Sequence, residues 1–149
     1  MKIFMLTLVV SFTAIATVNG QPAYEVSKDS VTHQNMLIGS VHKSDLSGNP
    51  DFTWYAESQK IYSTPIADAV NALKRHKDDL YFIIFGGTWC EDTHFVLPKF
   101  FKIQEAADFP EDHMAIFALD RYKKMPIPIA EAMSVMNVPT IIVMKNGKE

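Results

Sequence analysis

The chain has 149 residues, 48% of them hydrophobic and 21% charged. That is the balance of a globular domain with one core, and it excludes a wholly disordered chain. A formal charge of −3 supplies no basic field to hold nucleic acid, so that class is set aside.

The first residues read as a signal peptide covering 1–20. Lys2 gives the positive start, and Ile3 to Val18 is apolar. Val18-Asn19-Gly20 puts small residues before a cut ahead of Gln21. The alternative is a membrane anchor, but Ser11, Thr13 and Thr17 dilute the run. The mature protein is therefore expected to be exported, periplasmic or secreted, with no stable membrane association after cleavage. In an oxidising compartment a single cysteine, Cys90, cannot staple the fold. It is a reactive thiol, half of an intermolecular bond or an inert buried residue.

Residues 21–35 are polar and without period, and read as a flexible leader. Met36 to Val41 is a short apolar run that predicts the first strand. Ser44 to Pro65 is rich in Ser, Gly, Asn, Asp and Pro and reads as a long loop. Its aromatic residues, Phe52, Trp54, Tyr55 and Tyr62 among them, would pin that loop to the core or form a lip over a site. From Pro65 the spacing of Ile66, Val70 and Leu73 predicts a helix. Leu80 to Phe85 is continuously apolar, as in a strand covered on both faces. Gly86-Gly87-Thr88-Trp89-Cys90 then turns the chain into a second helix that carries an interior proline, Pro98. Met114 to Leu119 predicts another strand. Pro126 to Met136 predicts a short helix with Ile129, Ala132, Met133 and Met136 as its apolar side. Thr140 to Met144 predicts a last strand, and Asn146-Gly147 is a strong hairpin signal. The alternation implies an α/β fold, a central sheet with helices on both faces. Only two residues follow the hairpin turn, so the sequence is expected to be a fragment that lacks a final strand and helix.

Cys90 would stand at the carboxyl end of a strand and the amino end of a helix, where open α/β sheets place their sites. Orphan backbone donors and the positive end of the helix dipole favour an anion there, while Glu91 and Asp92 oppose one. Thr93 is placed to offer its hydroxyl to the sulfur. His94, four residues on, is placed to pair with it as in Cys/His nucleophiles. Gly86-Gly87 is no phosphate loop, because the Gly-Lys-Ser/Thr of such loops is missing, and no cofactor is expected. The run Asp120-Arg121-Tyr122-Lys123-Lys124 reads as a solvated loop on the same sheet edge as Cys90.

Three stretches resemble the thioredoxin superfamily. Phe85-Gly86-Gly87-Thr88-Trp89-Cys90 is similar to the strand and Trp-Cys entry of its redox site. Pro98, eight residues after Cys90, is similar to the proline of its active-site helix. Val138-Pro139-Thr140 to Lys148 resembles its cis-proline strand and hairpin. The Trp-Cys-x-Asp-Thr form resembles exported thioredoxin-like proteins of Bacteroidetes-type bacteria. The resemblance implies a three-layer thioredoxin-like domain over 36–149, C-terminally incomplete, with a central mixed sheet. It implies that Trp89 and a cis Val138-Pro139 flank the sulfur, and that the partners are protein or peptide thiols and disulfides. Two positions depart from the pattern: the second redox cysteine is Thr93 and the buried acid is Ile84. A lone thiol forms a mixed disulfide but cannot resolve it from within. The expected function is monothiol exchange through Cys90, with Trp89, Thr93 and Pro139 around it and Glu91, Asp92 and His94 as modulators. The alternatives are a peptide-binding module without turnover, and copper handling through Cys90 and His94; exported relatives of that last kind carry a second cysteine.

Overall fold

The structure is a computed structural model, and it describes residues 23–62 and 64–149. The expected signal peptide lies outside the described residues.

The apolar run after Asp79 forms the strand from which the rest of the sheet is laid out. Five strands occur: β1 (Tyr24–Lys28), β2 (Asn35–Val41), β3 (Leu80–Gly86), β4 (Met114–Ala118) and β5 (Thr140–Lys145). Their order across the sheet is β1-β2-β4-β3-β5. β3 and β4 are parallel, with Ile84 opposite Ile116, while β5 runs antiparallel to β3 with Ile84 opposite Ile141. β2 runs antiparallel to β4. The protein is thus α/β with a mixed sheet.

Side chains alternate across a strand. Phe82 and Ile84 enter one hydrophobic cluster, while Ile83 and Phe85 enter the other. The first cluster is covered by α1 (Lys43–Ser47), α2 (Thr53–Ile61), α3 (Ala67–His76) and α4 (Glu91–Ala106). Their contributions include Leu46, Tyr55, Leu73, Leu97 and Phe101, all buried. Burying a side chain such as Phe101 is worth about 1.5–3 kcal/mol. The second cluster gathers Phe85, Leu119, Ala130, Val135, Val138 and Ile142. Its helical cover is α5, only Ile129–Ala132, and loop residues do the rest.

Three expectations change. Residues read as a flexible leader contain β1, which pairs with β2 from Tyr24↔Gly39 to Lys28↔Asn35. That hairpin depends on Gly39: its φ is +134°, and a Cβ there would lie 2.6 Å from Ala23 O. The stretch read as a loop, Ser44 to Pro65, carries most of α1, a 3-10 turn at Pro50–Phe52 and α2. Its polar residues are caps. Asp45 accepts from His42 N–H at 2.7 Å, and Asn49 accepts from Asp51 N–H at 2.9 Å. Side chains that favour turns also favour helix starts, so composition misleads here. The aromatic residues do anchor the stretch, since Phe52 and Tyr55 are buried. Burial pushes the Tyr55 phenol up to about 12.

The third change is at α5, expected over Pro126 to Met136. Pro128 caps it, it stops at Ala132, and Ser134 takes a left-handed φ of 53°. The helical period therefore does not reach Met136, expected on the apolar side of the helix, which is 77% exposed. Pro98 does lie inside α4, as expected. The hairpin at Asn146-Gly147 also forms, with positive φ at both residues and Lys145 bridged to Lys148.

Candidate functional site

β3 ends at Gly86, and four residues separate it from Glu91, the first residue of α4. Within that turn Gly87 must be glycine. A Cβ on it would meet the Trp89 ring at 2.7 Å. The indole therefore folds back over the turn, and its Nε1–H donates to Leu119 O at 2.8 Å. Two buried threonines brace the turn from below. Leu37 N–H donates to Thr88 Oγ1 at 3.0 Å, and Gly87 N–H donates to Thr93 Oγ1 at 3.1 Å. These bonds satisfy backbone donors that the sheet and helix leave unpaired.

Cys90 is the N-cap residue of α4, with extended backbone (φ −100°, ψ 121°), and its side chain makes no cap bond. Cys90 is half-buried, and its S–H donates to Val138 O at 3.4 Å. The Val138–Pro139 peptide bond is cis. The structure thus brings together Cys90, Trp89 and the Val138-Pro139 segment, as the sequence suggests.

Thr93 and His94 stand differently from expectation. Thr93 is 2% exposed, and its hydroxyl oxygen serves Gly87 rather than the sulfur. His94 stacks on Trp54 at 4.1 Å with the ring planes 13° apart. Its Nε2 lies 2.8 Å from Thr88 O. A carbonyl only accepts, so Nε2 carries the proton. Burial lowers the imidazole pKa, against smaller opposing contributions from the Thr88 bond and Glu91. His94 thus braces α2 against the turn, and its hydrogen bond goes to Thr88 rather than to the sulfur. Glu91 and Asp92 are exposed in the first turn of α4.

Other residues reach the site from parts of the chain that the sequence does not connect with it. Arg121 places its guanidinium carbon 4.6 Å from the centre of the Trp89 ring. Asp29, at the end of β1 and 1% exposed, receives both Arg121 Nε and, at 2.7 Å, Nη2. The same carboxylate accepts from Thr32 N–H at 3.0 Å and Thr32 Oγ1 at 2.6 Å, closing the β1–β2 hairpin turn. The Arg121 guanidinium, reinforced by Thr32, holds Asp29 far below the usual carboxylate range against the effect of burial. Arg121 is raised in turn, chiefly by its bond to Asp29. Lys123 lies 5.8 Å from the Trp89 ring centre. For Asp29 the sequence holds no signal, since it sits in a polar run without period. Arg121 is legible only as a residue following a strand.

Among the described residues no group of three or more His, Cys, Asp or Glu side chains could hold a metal ion, and no helix is long and apolar enough to cross a membrane. No family model, curated protein or solved structure matches the chain.

Proposed function

We propose that this is an exported thioredoxin-like protein whose Cys90 carries monothiol thiol–disulfide exchange. The observation that supports the reading best is the setting of the sulfur. Its residue is half-buried at the start of a proline-containing helix, beside Trp89, and the thiol is bonded to the carbonyl that precedes a cis proline. A thiolate there attacks one sulfur of a partner disulfide, a Cys90–partner disulfide forms, and the partner's other sulfur leaves as a thiolate. Position 93 holds a buried threonine, so an external thiol must release the partner. Its thiolate attacks the mixed disulfide and returns Cys90 to the thiolate form.

The expected result is rapid alkylation of native Cys90 near neutral pH, and mixed disulfides trapped from periplasmic extracts that a Cys90→Ser protein does not form. Labelling only after denaturation would defeat this reading.

A second reading is a peptide-binding module without turnover. It draws support from His94, whose Nε2–H is engaged by Thr88 O and whose ring is stacked on Trp54, so that its hydrogen bond is not made to the sulfur. Under it, Cys90→Ser still captures the same partners. Copper handling has the least support, because the His94 nitrogen nearest a polar partner is already engaged by Thr88. Copper(I) titration that leaves Cys90 freely alkylatable removes it.

A further inference from the structure

The loop that follows β4 is more organised than a solvated connection needs to be. Asp120 Oδ1 accepts from Tyr122 N–H and Lys124 N–H, both at 2.8 Å, and Lys123 N–H donates to Asp120 O at 3.0 Å. The turn forces Lys123 to a left-handed φ of 62°. Glycine is the residue that adopts this conformation without cost, and a lysine held there is an outlier of the kind that gathers at functional sites. The strained turn aims the Lys123 ammonium at Arg121 O, 3.0 Å away, above the Trp89 indole. Lys123 and Lys124 also line an open hollow of about 370 Å³, rimmed by Tyr122 and Met136. Both rim residues are more than three-quarters exposed, at 78% and 77%.

We propose that the Asp120–Lys124 turn is the partner-selecting rim of the site, and that it takes an acidic peptide segment carrying the disulfide, with a carboxylate of that segment on Lys123 and Lys124 and an apolar side chain against Tyr122 and Met136. The inference rests on the exchange reading above and names its partner class. The charges facing the rim are consistent with it. The Asp29 carboxylate is paired with Arg121, while Asp120 keeps its charge, turned inward onto the Tyr122 and Lys124 N–H groups and outside the lining of the hollow. Glu131 is the one acidic residue lining the hollow. Glu91 and Asp92 belong to the first turn of α4, a different element. The whole chain carries a formal charge of −3, so a preference for anions at Cys90 has to come from this local arrangement.

The test compares two small disulfides, the dianionic 5,5′-dithiobis(2-nitrobenzoate) and the neutral 4,4′-dithiodipyridine. In each, Cys90 thiolate forms a bond to one probe sulfur, the probe S–S bond breaks, and the other half leaves as a coloured thiolate or thiopyridone. Relative to a free cysteine peptide, the protein is expected to favour the anionic probe by about three- to tenfold at low salt, and less as salt rises. The double variant Lys123→Gly, Lys124→Gln should lose that preference while its Tm holds or rises, because glycine accepts the left-handed turn. A preference for the anionic probe that is absent in the wild type, or that survives in the variant, overturns the rim.

A second measurement does not need the thiol. In a Trp54→Phe background, quenching of Trp89 fluorescence by iodide, divided by quenching by acrylamide, should fall by about twofold or more when Lys123 and Lys124 are replaced. If Cys90 reacts with neither probe, the exchange reading fails, and the iodide ratio still decides the rim: an unchanged ratio rejects it and a fall supports it. Acidic and glutamine versions of one short cysteine peptide disulfide then extend the comparison. Equal rates for the two versions would contradict the choice of an acidic partner.

Discussion

Phe82 and Ile84 look into one face of the sheet, Ile83 and Phe85 into the other, and the two faces are covered in different ways. The first is sealed by helices, with aromatic rings meeting across the layers: Phe82 lies 5.1 Å from both Phe100 and Phe109 by ring centroids. The second has a single helical turn, and loops that include the segments carrying Leu119, Val135 and Val138 complete it. Cys90 and Trp89 pack against this second cluster. A helical layer fixes its residues by repetition. A loop-built layer fixes them by individual hydrogen bonds and ion pairs, and those can present a side chain half in solvent. The site therefore sits on the face that the fold covers least regularly.

The contrast can be broken most severely from the sealed side. Phe101 is fully buried among Tyr55, Phe100 and the first cluster. Phe101→Ala is expected to lower the free energy of unfolding by about 3–5 kcal/mol in urea titration. Under native conditions its Cys90 alkylation rate should stay near that of the parent. A large change in that rate at low urea would mean the two faces are not separable.

Asp29 sharpens the comparison from the open side. Asp29→Asn leaves Arg121 without its counter-charge and loosens the hairpin from the Trp89 ring. The expected outcome is a Tm lower by several degrees together with a shift in tryptophan emission. The pH dependence has a definite sign. Arg121 depresses the folded-state pKa of Asp29, so its contribution is complete above the ordinary carboxylate value of about 3.9 and is lost as pH falls below it. Acid unfolding of the parent should carry this component. A variant whose acid transition matches the parent's would show that the pair contributes nothing there.

The smallest effect belongs to His94. Its pKa is lowered chiefly by burial, so the folded protein favours the neutral ring and the unfolded chain takes up protons first. Its stabilisation is present above about pH 6.5 and fades as pH drops through that value. His94→Gln should remove this dependence from thermal melts between pH 5 and pH 7 while leaving the pH profile of Cys90 alkylation in place. A displaced alkylation profile would restore His94 as a partner of the sulfur.

What could be read from the sequence follows the range of the forces involved. β3, α4 with its interior proline, β4, β5 and the Asn146-Gly147 turn are set by apolar period, by backbone conformation and by short turn chemistry, all local properties. The α2 region was hidden because Asn49 and Asp45 signal a loop and a helix cap equally well, and only the burial of Phe52 and Tyr55 separates the two. The short span of α5 was hidden for a similar reason, since Pro128 caps its start and a left-handed Ser134 follows its end, breaking a period that the apolar residues continue.

The sequence by itself determined where the lone thiol stands along the chain: after a buried strand, on a glycine turn, at the head of a helix. It did so because each of those features is written within a few neighbouring residues. Only the tertiary structure decided what surrounds the sulfur. Asp29 is 92 residues from Arg121, Trp89 is 30 from Leu119 and Cys90 is 48 from Val138. Pairings over such separations depend on how the sheet orders its strands, and strand order is settled by packing both faces at once rather than by any stretch of sequence read alone.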